Sequence, residues 1–123
     1  MEGGGSDDIA DFINRFIESV AQLEALLLLR SDPSVSWDVS ALSRRLYIQD
    51  NEAAEVLKAL VANGLVQDNG GSYRYAARPD LAVMVDRLAE AYSRELIPIT
   101  NLIHTRNRRI RQFADAFKFR KDS

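Results

Sequence analysis

The chain has 123 residues, 46% of them hydrophobic, a formal net charge of −2 and no cysteine. That length suits one domain with an appended helix or tail, and the apolar content is that of a packed core rather than a disordered chain. The lack of cysteine excludes a disulfide framework, thiolate metal sites and Cys nucleophiles.

The charge is unevenly spread. Residues 1–75 hold 6 basic and 12 acidic side chains, residues 76–123 hold 10 and 6, and residues 104–123 hold 7 and 2. An acidic front and a basic rear are polarised enough to bear on the choice of partner. The longest apolar run, Leu26 to Leu29, is far too short to span a bilayer. With no secretory apolar segment and no disulfides, a cytoplasmic location is expected.

Residues 1–6 are a glycine-rich, flexible start. Ser6 has the chemistry of an N-cap, with Asp7 and Asp8 placed to favour the positive end of a helix. Ile9, Phe12, Ile13, Phe16, Ile17, Val20, Leu23 and Leu27 then recur at three- and four-residue spacing. This stripe predicts one helix of about six turns. Asp32-Pro33 ends it, because the residue before proline avoids helical angles.

Val35 to Trp37 reads as a short strand. Asp38 or Ser40 caps a second helix with Leu42 and Leu46 inward and Arg44 and Arg45 outward. Tyr47-Ile48-Gln49 is a turn, and a third helix runs from about Asp50 to Asn63 with Ala53, Val56, Leu57 and Leu60 on its inner face. Gly64 ends it in a left-handed conformation. Leu65 and Val66 start a strand, Asn69-Gly70 predicts a two-residue hairpin turn, and Tyr73 and Tyr75 alternate on the return strand. Pro79 and Asp80 open a long helix with Leu81, Met84, Val85, Leu88, Tyr92 and Leu96 on one face, and Pro98 is expected to kink or interrupt it. Ile99, Leu102 and Ile103 resume the stripe, and residues 106–123 carry Ile110, Phe113, Ala114 and Phe117 at helical spacing among basic residues. The expected division is residues 1–6, 7–78, 79–105 and 106–123.

The order helix, short strand, helix, turn, helix, hairpin resembles the winged-helix form of the helix-turn-helix. The resemblance rests on "WDVSALSRRLYIQDNEAAEVLKALVANGLVQDNGGSYRYA", Trp37 to Ala76. The long flanking helices are similar to the dimerising helices of bacterial regulators of the multiple-antibiotic-resistance type. The resemblance implies a mainly α fold with a small β-hairpin wing, and it is compatible with either DNA binding or protein binding.

In the DNA-binding relatives, the N-terminal residues of the recognition helix touch base edges and phosphates. Here that region reads Gln49, Asp50, Asn51, Glu52, Ala54 and Glu55, followed by Lys58. Three carboxylates facing a polyanion are repelled, and each phosphate left without a basic partner also forfeits counterion-release affinity. The preferred expectation is docking of Asp50, Asn51, Glu52 and Glu55 on a basic protein surface. The plain reading is a solvated acidic face, since acids stabilise a helix N-terminus by about 0.3–1 kcal/mol. DNA is disfavoured through this helix, but Arg44, Arg45, Lys58, Arg74, Arg106, Arg108, Arg109 and Arg111 remain candidate nucleic-acid contacts. Arg44 and Arg45 have a plain reading too, as surface pairs of Glu52 or Glu55.

The basic tail has several readings: a phosphate grip, an amphipathic helix on an anionic membrane or in a partner's groove, or a plug against an acidic helix of its own dimer. Its plain reading is packing of Ile110, Phe113 and Phe117 with the basic face solvated. A homodimer is expected, because the long helices carry more apolar surface than one wing domain covers, with an interface through Leu88, Tyr92, Leu96, Ile99, Ile103, Phe113 and Phe117. His104 is a lone histidine and therefore a poor metal ligand. No catalytic triad order, phosphate loop or HExxH motif is present, so neither an enzyme nor a cofactor is expected.

Overall fold

A computed structural model describes residues 3–96 and 98–104. In chain order it contains α1 (Gly3–Phe16), α2 (Val20–Ser31), α3 (Val39–Leu46), α4 (Asp50–Ala62), β1 (Val66–Asp68), β2 (Tyr73–Tyr75) and α5 (Pro79–Arg94), with residues 98–104 again helical. The chain is thus mainly helical with a two-stranded antiparallel hairpin, an arrangement compatible with the winged helix.

The expected six-turn first helix is in fact two helices. α1 begins at Gly3, so Ser6 lies within it rather than capping it, and it stops at Phe16. Ser19 then caps α2 with extended backbone, and its Oγ accepts from Gln22 N at 3.0 Å. Gln22 is 2% exposed. Its Oε1 accepts from Glu18 N at 2.8 Å and its Nε2 donates to Phe16 O at 2.7 Å. Asn63 Nδ2 donates to the same carbonyl at 3.0 Å. The Phe16 carbonyl is one that helix termination leaves without an intrahelical partner, and two side chains satisfy it. The apolar period continues through the break because Ile13, Ile17, Leu23 and Leu26 are buried on either side of it. A hydrophobic stripe cannot distinguish one helix from two that share a core.

Capping accounts for the other boundaries. Asp38 caps α3, with its Oδ1 accepting from Ala41 N at 2.7 Å. Leu42 is buried in the core and Arg44 and Arg45 point outward, as the pattern predicts. α4 ends in a Schellman arrangement: Gly64 takes a φ of 76°, Gly64 N donates to Val61 O and Leu65 N donates to Leu60 O, both at 3.0 Å. Leu60 and Leu65 are fully buried beside this turn.

The hairpin register pairs Val66 with Tyr75, Gln67 with Arg74 and Asp68 with Tyr73. Its turn sits one residue later than expected. Gly70 and Gly71 are the positive-φ residues, at 71° and 93°, rather than Asn69 and Gly70. Asn69 N donates to Ser72 O at 2.8 Å and Asp68 Oδ1 accepts from Gly71 N at 2.9 Å, which fixes that register. Two successive glycines take positive φ without a Cβ clash, so the shifted turn is the less strained one. The expected strand at Val35 to Trp37 reduces to a single bridge, in which Trp37 and Tyr73 exchange two backbone hydrogen bonds of 2.8 Å.

α4 packs on α2 and α3, the hairpin lies against α4 and α2, and α1 packs on α5. Arg30 of α2 pairs with Asp86 of α5 at 2.9 Å, and Arg87 reaches Asp8 of α1 at 3.5 Å. α5 starts with Pro79 in its first turn. It ends at Arg94, the fourth residue before Pro98. A proline ring collides with the carbonyl four residues back, which accounts for an interruption there. No helix among the described residues is long and apolar enough to cross a membrane.

Candidate functional site

The outward surface around the start of α4 is built by two devices. The first is a turn: α3 ends at Tyr47, whose backbone is left-handed at φ 59°, ψ 44°. Tyr47 N and Ile48 N both donate to Ser43 O, the latter at 3.1 Å. The following extended residue, Gln49, starts α4 without a side-chain cap.

The second device ties α3 to α4 through side chains. Ser43 is 5% exposed, its hydroxyl is hydrogen-bonded to Asp50 Oδ1, and it also lies 3.0 Å from Ser40 O. Asp50 therefore has a role inside the fold, and its carboxylate is turned back towards α3. Asn51 Oδ1 accepts from Glu52 N at 2.9 Å. Glu52 and Glu55 are exposed, and among the described residues no ion pair engages them. The sequence groups Asp50, Asn51, Glu52 and Glu55 as one acidic set; the structure divides it into one carboxylate holding the helix pair together and two facing solvent.

The basic candidates lie around this surface. Arg44 Nη1 donates to Ser40 Oγ at 2.9 Å, and Arg45 is exposed. Neither pairs with Glu52 or Glu55, so the plain reading of these arginines as internal partners is not what forms. Lys58 on α4 and Arg74 on the hairpin are exposed. Arg106, Arg108, Arg109, Arg111, Phe113 and Phe117 lie outside the described residues.

The residues expected at a dimer interface have different environments. Leu88, Ile99 and Ile103 are buried within the single chain. Tyr92 is half-buried, with its hydroxyl donating to Glu24 Oε2 at 3.1 Å. Burial, and then the bond to Glu24, hold its pKa above the ordinary tyrosine value. Leu96 and Leu102 are exposed. Core packing covers much of the stripe, so the apolar surface left for a second subunit is narrower than the pattern suggests.

Three features escape a reading of the sequence. Ser19-Val20-Ala21-Gln22 has the S-x-x-Q spacing of a capping box, which marks the α2 start. Tyr75 sits on the hairpin with a buried hydroxyl that has no hydrogen-bond partner among the described residues, and desolvation followed by the charge of Asp86 raises its pKa. Tyr47 is 93% exposed. Nothing local in the sequence distinguishes it from an ordinary turn residue.

No family model and no curated protein matches the chain. Among solved structures it is similar to a possible transcriptional regulator from Methanosarcina mazei Go1, at 17% identity and a TM-score of 0.51, covering 74% of this chain and 82% of that one. At that identity the likeness concerns the fold.

Proposed function

We propose that the chain is a non-catalytic winged-helix regulatory protein of transcription or signalling that acts mainly by docking the outward face of α4 on a basic protein surface. The observation that carries the reading is the exposure of Glu52 and Glu55, unpaired among the described residues, at the end of α4 where a groove reader needs cations. The fold likeness to a possible transcriptional regulator supports a regulatory role in general. The loose kinship with regulators of the multiple-antibiotic-resistance type belongs to the same proposal, as does a homodimer through the α5 side of the molecule, where Leu96 and Leu102 are exposed.

A second reading, a DNA-binding regulator, draws on Arg44, Arg45, Lys58 and Arg74, which are exposed and free of carboxylate partners among the described residues. Binding of the full chain to random duplex DNA across a salt series separates the two. Docking predicts little duplex binding by the folded core, and loss of partner capture when Glu52 and Glu55 are both changed to lysine, a change that strengthens duplex binding on the DNA reading. DNA binding predicts micromolar or better affinity in the unaltered chain, falling steeply with salt, and that result would displace the docking reading.

A further inference from the structure

The chain contains the pair Asn-Gly twice, at Asn63-Gly64 and at Asn69-Gly70. An asparagine followed by glycine can cyclise on itself: the glycine backbone nitrogen attacks the side-chain Cγ, and the missing Cβ leaves that approach open. The fold treats its two copies in opposite ways. At Asn63-Gly64 both reacting groups are held. Gly64 N, the nucleophile, donates to Val61 O at 3.0 Å, and Asn63 Nδ2, the leaving group, donates to Phe16 O at 3.0 Å. Asn63 is also half-buried and closes α4 with helical backbone. At Asn69-Gly70 neither group is held. Both residues are exposed at the hairpin tip, and neither the Asn69 side chain nor Gly70 N has a hydrogen bond among the described residues. The bonds that close the turn, from Asn69 N to Ser72 O and from Gly71 N to Asp68 Oδ1, border the pair and engage neither reacting atom.

We propose that Asn69-Gly70 is a site of spontaneous deamidation and that the fold protects Asn63-Gly64 from the same reaction. Gly70 N, its proton taken by base, bonds to Asn69 Cγ. The Cγ–Nδ2 bond then breaks, and the nitrogen takes up a proton and leaves as ammonia, so that a cyclic imide remains. Water opens the ring. Breaking the new N–Cγ bond gives aspartate, and breaking the original peptide bond routes the main chain through Cγ and gives isoaspartate. Either product sets a carboxylate beside Asp68. Residues 66–75 hold one acid, Asp68, and one base, Arg74, so a single event makes the hairpin net negative. Isoaspartate also lengthens the main chain by one carbon at the residue whose N–H closes the turn. The inference is independent of both functional readings; on the DNA reading, the added anion weakens any phosphate contact by the wing.

The full chain, aged in warm, mildly alkaline buffer either folded or unfolded in guanidinium chloride, tests this. Peptide mass spectrometry follows the conversion of amide to acid at each asparagine. Unfolded, the two sites should convert at comparable rates, because the dipeptide chemistry is the same. Folded, Asn69 should convert at least about tenfold faster than Asn63, the factor expected where two hydrogen bonds must break before the ring can close. Asn69→Gln should remove most of the acidic species that ion exchange separates from the aged folded chain, since the longer side chain cyclises far more slowly. The proposal is overturned if folded Asn63 keeps pace with Asn69, if folding slows Asn69 as much as it slows Asn63, or if the acidic species forms undiminished in Asn69→Gln.

Discussion

Replacing Asp50 with alanine separates a carboxylate that builds the surface from one that merely occupies it. The Ser43 hydroxyl is buried and bonded to Asp50 Oδ1, so the variant loses a hydrogen bond to a charged acceptor, which contributes about 1.5–3 kcal/mol. It also loses an acid in the first turn of α4, which contributes about 0.3–1 kcal/mol. The Ser43 hydroxyl can still turn to Ser40 O at 3.0 Å, so no buried donor is stranded and the lower half of each range applies. The expected loss is about 2 kcal/mol. Urea unfolding followed by far-ultraviolet circular dichroism and by Trp37 fluorescence measures it. Combining the change with Ser43→Ala should show a coupling of about 1–2 kcal/mol, because each single variant removes the same bond. Glu55→Ala, with no such partner, should stay within about 0.5 kcal/mol of the unaltered chain, and Glu52→Ala, which gives up only a first-turn acid, within about 1 kcal/mol. A loss of stability from Asp50→Ala no larger than theirs would refute the assignment and return Asp50 to the solvent-facing acids.

Three further outcomes follow from the described geometry. Gln22→Met keeps the side-chain volume but removes two hydrogen bonds, for a loss of about 2 kcal/mol, and Asn63→Ala removes one, for about 1 kcal/mol. Together they strip the Phe16 carbonyl of both donors, so denaturant unfolding should show a combined loss exceeding the sum by about 1 kcal/mol or more, and simple additivity would contradict the shared acceptor. Tyr75 and Tyr92 have folded-state pKa values raised above 10.0, so their contribution to stability is fully present below that pH and is lost as pH climbs through the folded values. Ultraviolet titration should show Tyr75 and Tyr92 ionising above the ordinary tyrosine range, and their ionisation within it would exclude this. Finally, Leu96→Glu with Leu102→Glu should convert a homodimer to a monomer by light scattering at micromolar concentration; an unaltered chain that is already monomeric there removes the proposed interface.

The sequence shows the α3–turn–α4 pair and the hairpin because its signals are short-range. Asp38 caps, Gly64 takes the left-handed position and Leu42, Val56, Leu57 and Leu60 keep helical spacing, and each element follows from residues within a turn of it. The break between α1 and α2 is harder to read, because the apolar stripe runs unbroken through it and only the Ser19–Gln22 pair marks the stop. The hairpin turn slips by one residue because Asn69-Gly70 and Gly70-Gly71 both satisfy the local rule, and the Asp68 side chain decides between them. For the candidate site, the outward direction of Arg44, Arg45, Glu52 and Glu55 follows from helical periodicity. The hydrogen bond of exposed Asp50 back to α3 does not, because it depends on Ser43 seven residues away across a turn. The burial of Leu88, Ile99 and Ile103 is likewise tertiary: the same stripe serves a core or an interface, and only packing tells which.

The Phe16 carbonyl receives both Gln22 and Asn63, and so fastens the joint of the first two helices to the far end of α4 at one point. Swinging α4 on its platform would strand the Asn63 amide, at the end of the helix away from Glu52, while Gln22 keeps its hold on the carbonyl. If the outward face docks as proposed, the helix comes to the encounter already held at its rear, and more of the adjusting of shape falls to the visitor.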